Sequence, residues 1–310
     1  MSSARLIALL ALSLVLVPLT AQAQPPASPA LIDLHFHAER GLSPDKVLQT
    51  MDQVGVAVAG NGAKGADNLW ESFGLAGASR FLPFAGQGPI GRMVQELGEM
   101  AWTLKADPMN SYLESLERGL RAGRFRGIGE LFVNNTSSHP RGFPPTKYPA
   151  DSPLVRRLLA LSAKYAVPLS IHMDAEADSV AGLEALVATE RSGVVIWAHC
   201  GTWAHAALIR RLLQQQPNLL CELSWRDAVH LAKVQRGRGA EITGFRTKLA
   251  EDWRELLEAF SDRFLVGTDA DDLGQYKDII DFYRKVLGQL SPEAAQRIGS
   301  GNAKRIFRLD

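Results

Sequence analysis

Short apolar runs alternate with segments of helical period from residue 31 to the end of the chain. The apolar runs lie near 31–36, 54–59, 81–86, 126–133, 167–172, 193–199, 218–224 and 263–268 and predict eight strands. Helices are predicted between them, near 43–53, 66–79, 108–122, 151–166, 178–191, 203–216, 250–261 and 271–288. Ser43-Pro44, Ser152-Pro153 and Ser291-Pro292 read as helix starts, since serine caps free amides and proline in the first turn loses no hydrogen bond. Strand and helix in strict alternation mean parallel strands joined by crossovers. Eight such pairs predict a single-domain (β/α)8 TIM barrel over residues 31–310, with an open doubly wound sheet as the rival.

Alternation along each strand assigns the inward side chains. On the first strand it turns Leu31, Asp33, His35 and His37 inward and Ile32, Leu34 and Phe36 toward the helices. Ser170 and His172 share a face on the fifth strand, Trp197 and His199 on the sixth, and Leu265, Gly267 and Asp269 on the eighth, where Gly267 leaves room beneath the carboxylate. On the seventh, an inward Glu222 turns Cys221 outward, so Cys221 and Cys200 are expected as free thiols. Three long connections, 87–107, 134–150 and 225–249, fall on the side where the strands end and are expected to carry substrate selection.

Four of the seven histidines and two carboxylates sit within or at the end of a predicted strand: His35, His37, Glu130, His172, His199 and Asp269. In a barrel, these ends meet at one mouth. Burying that many imidazoles and carboxylates without partners costs several kcal/mol per group, roughly. A divalent cation removes the difficulty, so the pattern predicts a metal-dependent enzyme. Asp33 and Glu222 are expected as buried polar partners around the ligands.

These residues carry a resemblance. From Asp33-Leu34-His35-Phe36-His37 to Asn302-Ala303-Lys304-Arg305-Ile306-Phe307 the chain resembles the amidohydrolase superfamily of metal-dependent barrels. The resemblance implies that His35, His37, His172 and Asp269 reach metal, and that His199 either holds a second metal or contacts the reacting group. Glu130, in Gly-Ile-Gly-Glu, is similar to the bridging glutamate of binuclear members, whereas the tail is similar to a branch that also contains decarboxylases. One or two metals per chain remain open. Zinc is the expected ion, with manganese, iron and nickel as alternatives. The expected reaction is hydrolysis of a C–N or C–O bond (amide, lactone or ester) by metal-activated water, with Asp269 as general base and His199 assisting. Decarboxylation by one metal is the alternative, phosphoester hydrolysis the third, and a non-catalytic ligand-binding barrel the reading outside enzymes.

Composition refines the partners. Residues 1–23 order one arginine, an apolar run and Ala21-Gln22-Ala23, which predicts a signal peptide, cleavage after Ala23 and export to the periplasm or medium, with no membrane anchor afterwards. Residues 24–30 read as a short flexible lead-in. The mature chain then carries 33 basic and 33 acidic residues, which gives no general attraction for nucleic acid. The expected partner is a small-molecule substrate; the oligomeric state is not readable from the sequence, and a homodimer is one candidate assembly. Arg226, Lys233, Arg236, Arg238, Arg246 and Lys248 make the last long connection basic, which hints at an anionic substrate held by Arg226 or Arg40, with Trp225 as a pocket wall.

Overall fold

In a computed structural model of the chain, eight parallel strands form one sheet in sequence order and close almost completely into a barrel. The structure describes residues 29–136, 145–227, 230, 241–243 and 247–310. The expected signal peptide, most of the lead-in, His139, Lys233, Arg236, Arg238 and Arg246 lie outside the described residues. The strands are β1 Leu31–Asp33, β2 Val56–Asn61, β3 Phe81–Gly86, β4 Gly127–Asn134, β5 Leu169–Met173, β6 Val195–Trp197, β7 Leu219–Glu222 and β8 Phe264–Leu265. Beyond the formal ends of β1 and β8, Leu34 N donates to Val266 O (2.9 Å) and Asp269 N to His35 O (2.7 Å), which closes the ring. No helix among the described residues is long and apolar enough to cross a membrane.

The outer helices are α1 Pro44–Val54, α2 Leu69–Gly77, α3 Gln87–Leu97, α4 Asp107–Arg121, α5 Pro153–Tyr165, α6 Ala177–Thr189, α7 Ala206–Gln215, α8 Glu251–Ala259 and α9 Leu273–Leu287, followed by α10 Pro292–Gln296 and α11 Asn302–Phe307. All three Ser-Pro starts hold: the side chains of Ser43, Ser152 and Ser291 accept from the amides of Lys46, Val155 and Ala294. The connection after β3 differs from expectation. Residues 87–97 form α3, and 98–103 a 3-10 turn, where a long loop is predicted. Pro89 sits in the first turn, where its missing N–H costs nothing, and Ile90 and Val94, one turn apart, bury against the core. Gly88 is required by closeness: a Cβ there would lie 2.4 Å from the Gly65 backbone.

Two apolar layers divide the molecule. The larger fills the space between strands and helices. The smaller joins Ile32, Leu34, Leu82, Phe84, Ile196, Leu220 and Leu265 to Ala303 and Phe307. Strands on opposite sides of a barrel share contacts only through its interior, so this layer is the barrel floor, plugged by α11. Asn302 pins that helix by donating to Ser261 O (2.7 Å) and Phe264 O (2.8 Å).

The floor corrects the expected alternation on β1 and β6. Ile32 and Leu34 face inward, and the chain bends at Leu34, where Asp33 Oδ1 accepts the His35 amide (2.9 Å) in an Asx-type turn that brings His35 to the same side. Trp197 faces the helices, with Nε1 donating to Met173 O (2.8 Å), and Ile196 takes the inward place. On β7 and β8 the alternation holds: Cys221 is outward and free, as is Cys200, while Glu222 and Leu265 face in.

Candidate metal centre

Five strands deliver the six residues to one point. β1 runs out into His35 and His37. On β4, three steps from Ile128 to Leu131 oppose two from Leu169 to Ile171 on β5, a bulge that aims Glu130 into the barrel. His172 lies on β5. His199 follows β6 in a tight turn with φ 57°, and Asp269 follows β8 with φ 45°. Such left-handed values cost about 1–3 kcal/mol each for residues other than glycine and persist only where the surroundings over-determine them. His35, His37, Glu130, His172 and His199 are all buried, while the Asp269 side chain is 16% exposed and is the opening of the site.

His35, His37 and His199 are each held at one nitrogen and turned to the centre with the other, and His172 faces the centre with Nδ1. His35 Nδ1 lies 2.6 Å from Glu222 Oε2, which leaves Nε2 3.2 Å from Glu130 Oε2 and 3.8 Å from Asp269 Oδ1. His37 Nδ1 donates to Gly62 O (3.1 Å), and its Nε2 stands 3.5 Å from Glu130 Oε2 and 3.3 Å from Asp269 Oδ1. His199 Nδ1 meets Ser224 Oγ at 2.7 Å and turns Nε2 to Glu130 Oε1 (3.4 Å). His172 faces Glu130 Oε1 with Nδ1 (3.0 Å), while its Nε2 lies 3.9 Å from Asp174 Oδ1. His172 Nδ1 and His199 Nε2, both turned to the centre, are 3.0 Å apart. Glu130 therefore stands between two pairs of imidazoles, its Oε2 facing His35 and His37 and its Oε1 facing His172 and His199, while Asp269 groups with His35 and His199 within 4.8 Å.

The field of the site suits a cation. Burial works against a charge on Glu130, yet the imidazoles of His35, His172 and His199 outweigh it and hold the carboxyl well below the usual range. Asp269 is likewise held low against its burial by His35 and His37. Burial pushes His35 down, but Glu130, Asp269 and Glu222 together lift it well above the ordinary imidazole range. His199 is left low by burial, with the neighbouring His172 and His35 acting in the same direction against Glu130. Positive charge is thus stabilised between the carboxylates, and the inward nitrogens and oxygens are the donor set a divalent ion takes.

Asp33 belongs to the barrel seam, accepting from the backbone N (2.9 Å) and Oγ1 (2.7 Å) of Thr268 as well as from His35 N. Glu222 is the partner that fixes His35, and it also accepts from the hydroxyl of Ser224 (2.7 Å). Gly267 leaves room for these two, since a Cβ there would fall 2.1 Å from the Glu222 carboxylate and 2.6 Å from His35 Cβ. Ser224, Asp174 and Gln87, whose Nε2 reaches Glu130 Oε2 at 3.4 Å, escape the sequence reading. Their signal is position: Ser224 and Asp174 each stand two residues beyond an inward polar residue, and Gln87 directly follows a strand.

Arg226 is not the expected clamp. It is fully buried, with Nε on His199 O (2.8 Å), Nη1 on Ala204 O (2.9 Å), Nη2 on Cys200 O (2.7 Å), and its guanidinium over the Trp253 ring. It staples the turn that carries His199. Arg40 is exposed and borders a cavity that also touches His37 and Asp271. Trp225 is partly exposed, 5.7 Å from the His199 ring and stacked on His230 at 5.2 Å. His230 is buried, with Nδ1 2.6 Å from Asp227 Oδ2.

Fold and site together place the chain among metal-binding (β/α)8 barrels. The sequence profile described as amidohydrolase matches residues 32–309, so the chain belongs to the amidohydrolase family. Among solved structures, it is similar to dihydroxybenzoic acid decarboxylase from Polaromonas sp. JS666 with bound manganese (14% identity, TM-score 0.54, 91% of this chain and 97% of that one). It is similar to a Burkholderia multivorans amidohydrolase with bound zinc (13%, TM-score 0.51, 91% and 100%). A probable 2-pyrone-4,6-dicarboxylic acid hydrolase from Acinetobacter baumannii, with citric acid bound, gives 12% identity and TM-score 0.57 over 90% and 99%. At these identities the likeness is one of fold. No curated protein matches the sequence.

Proposed function

We propose that the protein is a metal-dependent hydrolase of a C–N or C–O bond in a small molecule, with zinc as its ion. The observation that carries this reading is the two-faced Glu130, which has two imidazoles on each of its oxygens. In this reading His35, His37 and Asp269 would hold one ion and His172 and His199 a second, with Glu130 available to both. Bound there, a divalent ion supplies Lewis acidity and brings the pKa of water toward neutrality.

The chain's own residues do the rest. Asp269, at the open side, takes the proton of the attacking water on a carboxylate oxygen and returns it to the leaving group. Glu222 and Gly62 O keep His35 and His37 in the tautomers that present Nε2, and Ser224 does the same for His199. Arg40, at the cavity beside His37, is assigned to an anionic group of the substrate.

The test is turnover by the metal-loaded protein across amides, lactones, esters, phosphoesters and aromatic or unsaturated carboxylic acids. Water-dependent cleavage of an amide, lactone or ester, lost in Asp269→Asn, supports the proposal. Release of carbon dioxide from an acid instead would establish the second reading, which the fold likeness to a decarboxylase keeps in view.

A further inference from the structure

Between α3 and the end of β4 lies a narrow cleft lined by Ile90, Val94, Trp102, Phe132, Thr146 and Gln87. Two of these residues also touch the metal centre. Gln87 Nε2 is 3.4 Å from Glu130 Oε2, and the Phe132 ring centroid is 5.0 Å from that of His172. The cleft therefore begins one side chain away from the donors. Its surface is almost wholly apolar, and its volume of about 20 Å³ is room for one water- or methyl-sized group. Gln87 is buried, its Nε2 turned to Glu130 and its Oε1, beside Gly62, without a hydrogen-bond partner. Its walls are set by firm packing, since Ile90 and Val94 belong to the core and Trp102 stacks on Tyr148 at 4.6 Å.

We propose that this cleft is the specificity pocket of the metal centre and takes a short apolar substituent of the substrate, with Val94 and Ile90 setting the permitted length. The proposal rests on the reading of the site as a metal-dependent enzyme, but not on which bond is cleaved. A substrate carboxyl or carbonyl group held at the donors points its chain past Gln87 and Phe132 into the cleft. The one methyl-sized group that the cleft admits raises affinity about fourfold, and further carbons meet the end wall and are rejected. Removing two carbons from Val94 deepens the pocket, and adding one shortens it.

The experiment is calorimetric binding of straight-chain carboxylates, acetate to hexanoate, to the metal-loaded full chain, with metal content and Tm recorded for each variant. The wild type should show an affinity maximum at one chain length. Val94→Ala should move it one or two carbons longer, and Val94→Ile one carbon shorter. The two variants shift the maximum in opposite directions, so a general loss of stability cannot imitate the result. A monotonic rise with length in all three proteins, a maximum unmoved by either substitution, or no binding at full metal loading would overturn the proposal. Failure of the hydrolase reading looks different: no amide, lactone or ester is turned over, while the chain-length maximum and its shifts persist.

Discussion

The two ends of the barrel interior are built by opposite rules. The floor is Ile32, Leu82, Phe84, Ile196, Leu220 and Leu265 in regular strands, with Leu34 at the bend after β1, closed by Phe307. The mouth is histidine and carboxylate, and His199, Cys200, Thr202, Trp225 and Asp269 around it all have positive φ. The floor gains from burial and has nothing to aim. At the mouth, backbone strain and buried polar groups are tolerated because each is over-determined: Arg226 staples the His199 turn, and Glu222 holds His35. Stability therefore resides at one end and chemistry at the other, as expected of a barrel whose ligand groups leave the strand ends.

Substitutions at each end should separate along that line. The largest expected effect is at the mouth: Asp269→Asn should reduce kcat about a thousandfold, with Tm in the metal-loaded state nearly unchanged. At the floor, Phe84→Ala should cost about 3–5 kcal/mol by denaturant unfolding, yet leave the metal content and kcat of the folded fraction intact. A mouth substitution that unfolds the protein, or a floor substitution that strips metal without destabilising, would break the contrast. Arg226→Lys should cost about 1–3 kcal/mol, because carbonyls of the turn lose their donors, and should lower activity toward neutral and anionic substrates alike. A selective loss of anionic substrates would instead restore Arg226 as a clamp. Glu222→Gln should weaken metal binding by about 10–100-fold in competition with a chelator, since His35 loses the carboxylate that fixes its tautomer. The smallest effect is expected from Arg40→Ala: stability within about 0.5 kcal/mol, with KM for a carboxylate-bearing substrate raised about threefold and that for its neutral analogue unchanged.

The same contrast explains what was legible in the sequence. The strand-helix alternation gave the barrel, since burial periodicity is a local signal, and His35, His37, Glu130, His172, His199 and Asp269 were marked by their place at strand ends. Strict alternation failed where the chain leaves extended geometry: the Asp33 turn brings Leu34 and His35 to the same side, and the turn after Trp197 separates it from His199. Helix α3 was hidden by Gly88, Pro89 and Gly91, which read as loop residues until packing against Gly65 and the core is seen. Arg226 was misread because a charge near a mouth signals ligand binding, whereas only tertiary structure reveals three backbone carbonyls waiting for it.

The central claim is the two-lobed metal centre linked by Glu130. Metal content per chain, measured on the wild type and on Glu130→Gln after equal loading and dialysis, tests it most directly. Two equivalents in the wild type, with at least one lost in the variant, is the predicted result; a single equivalent unaffected by the substitution would contradict it.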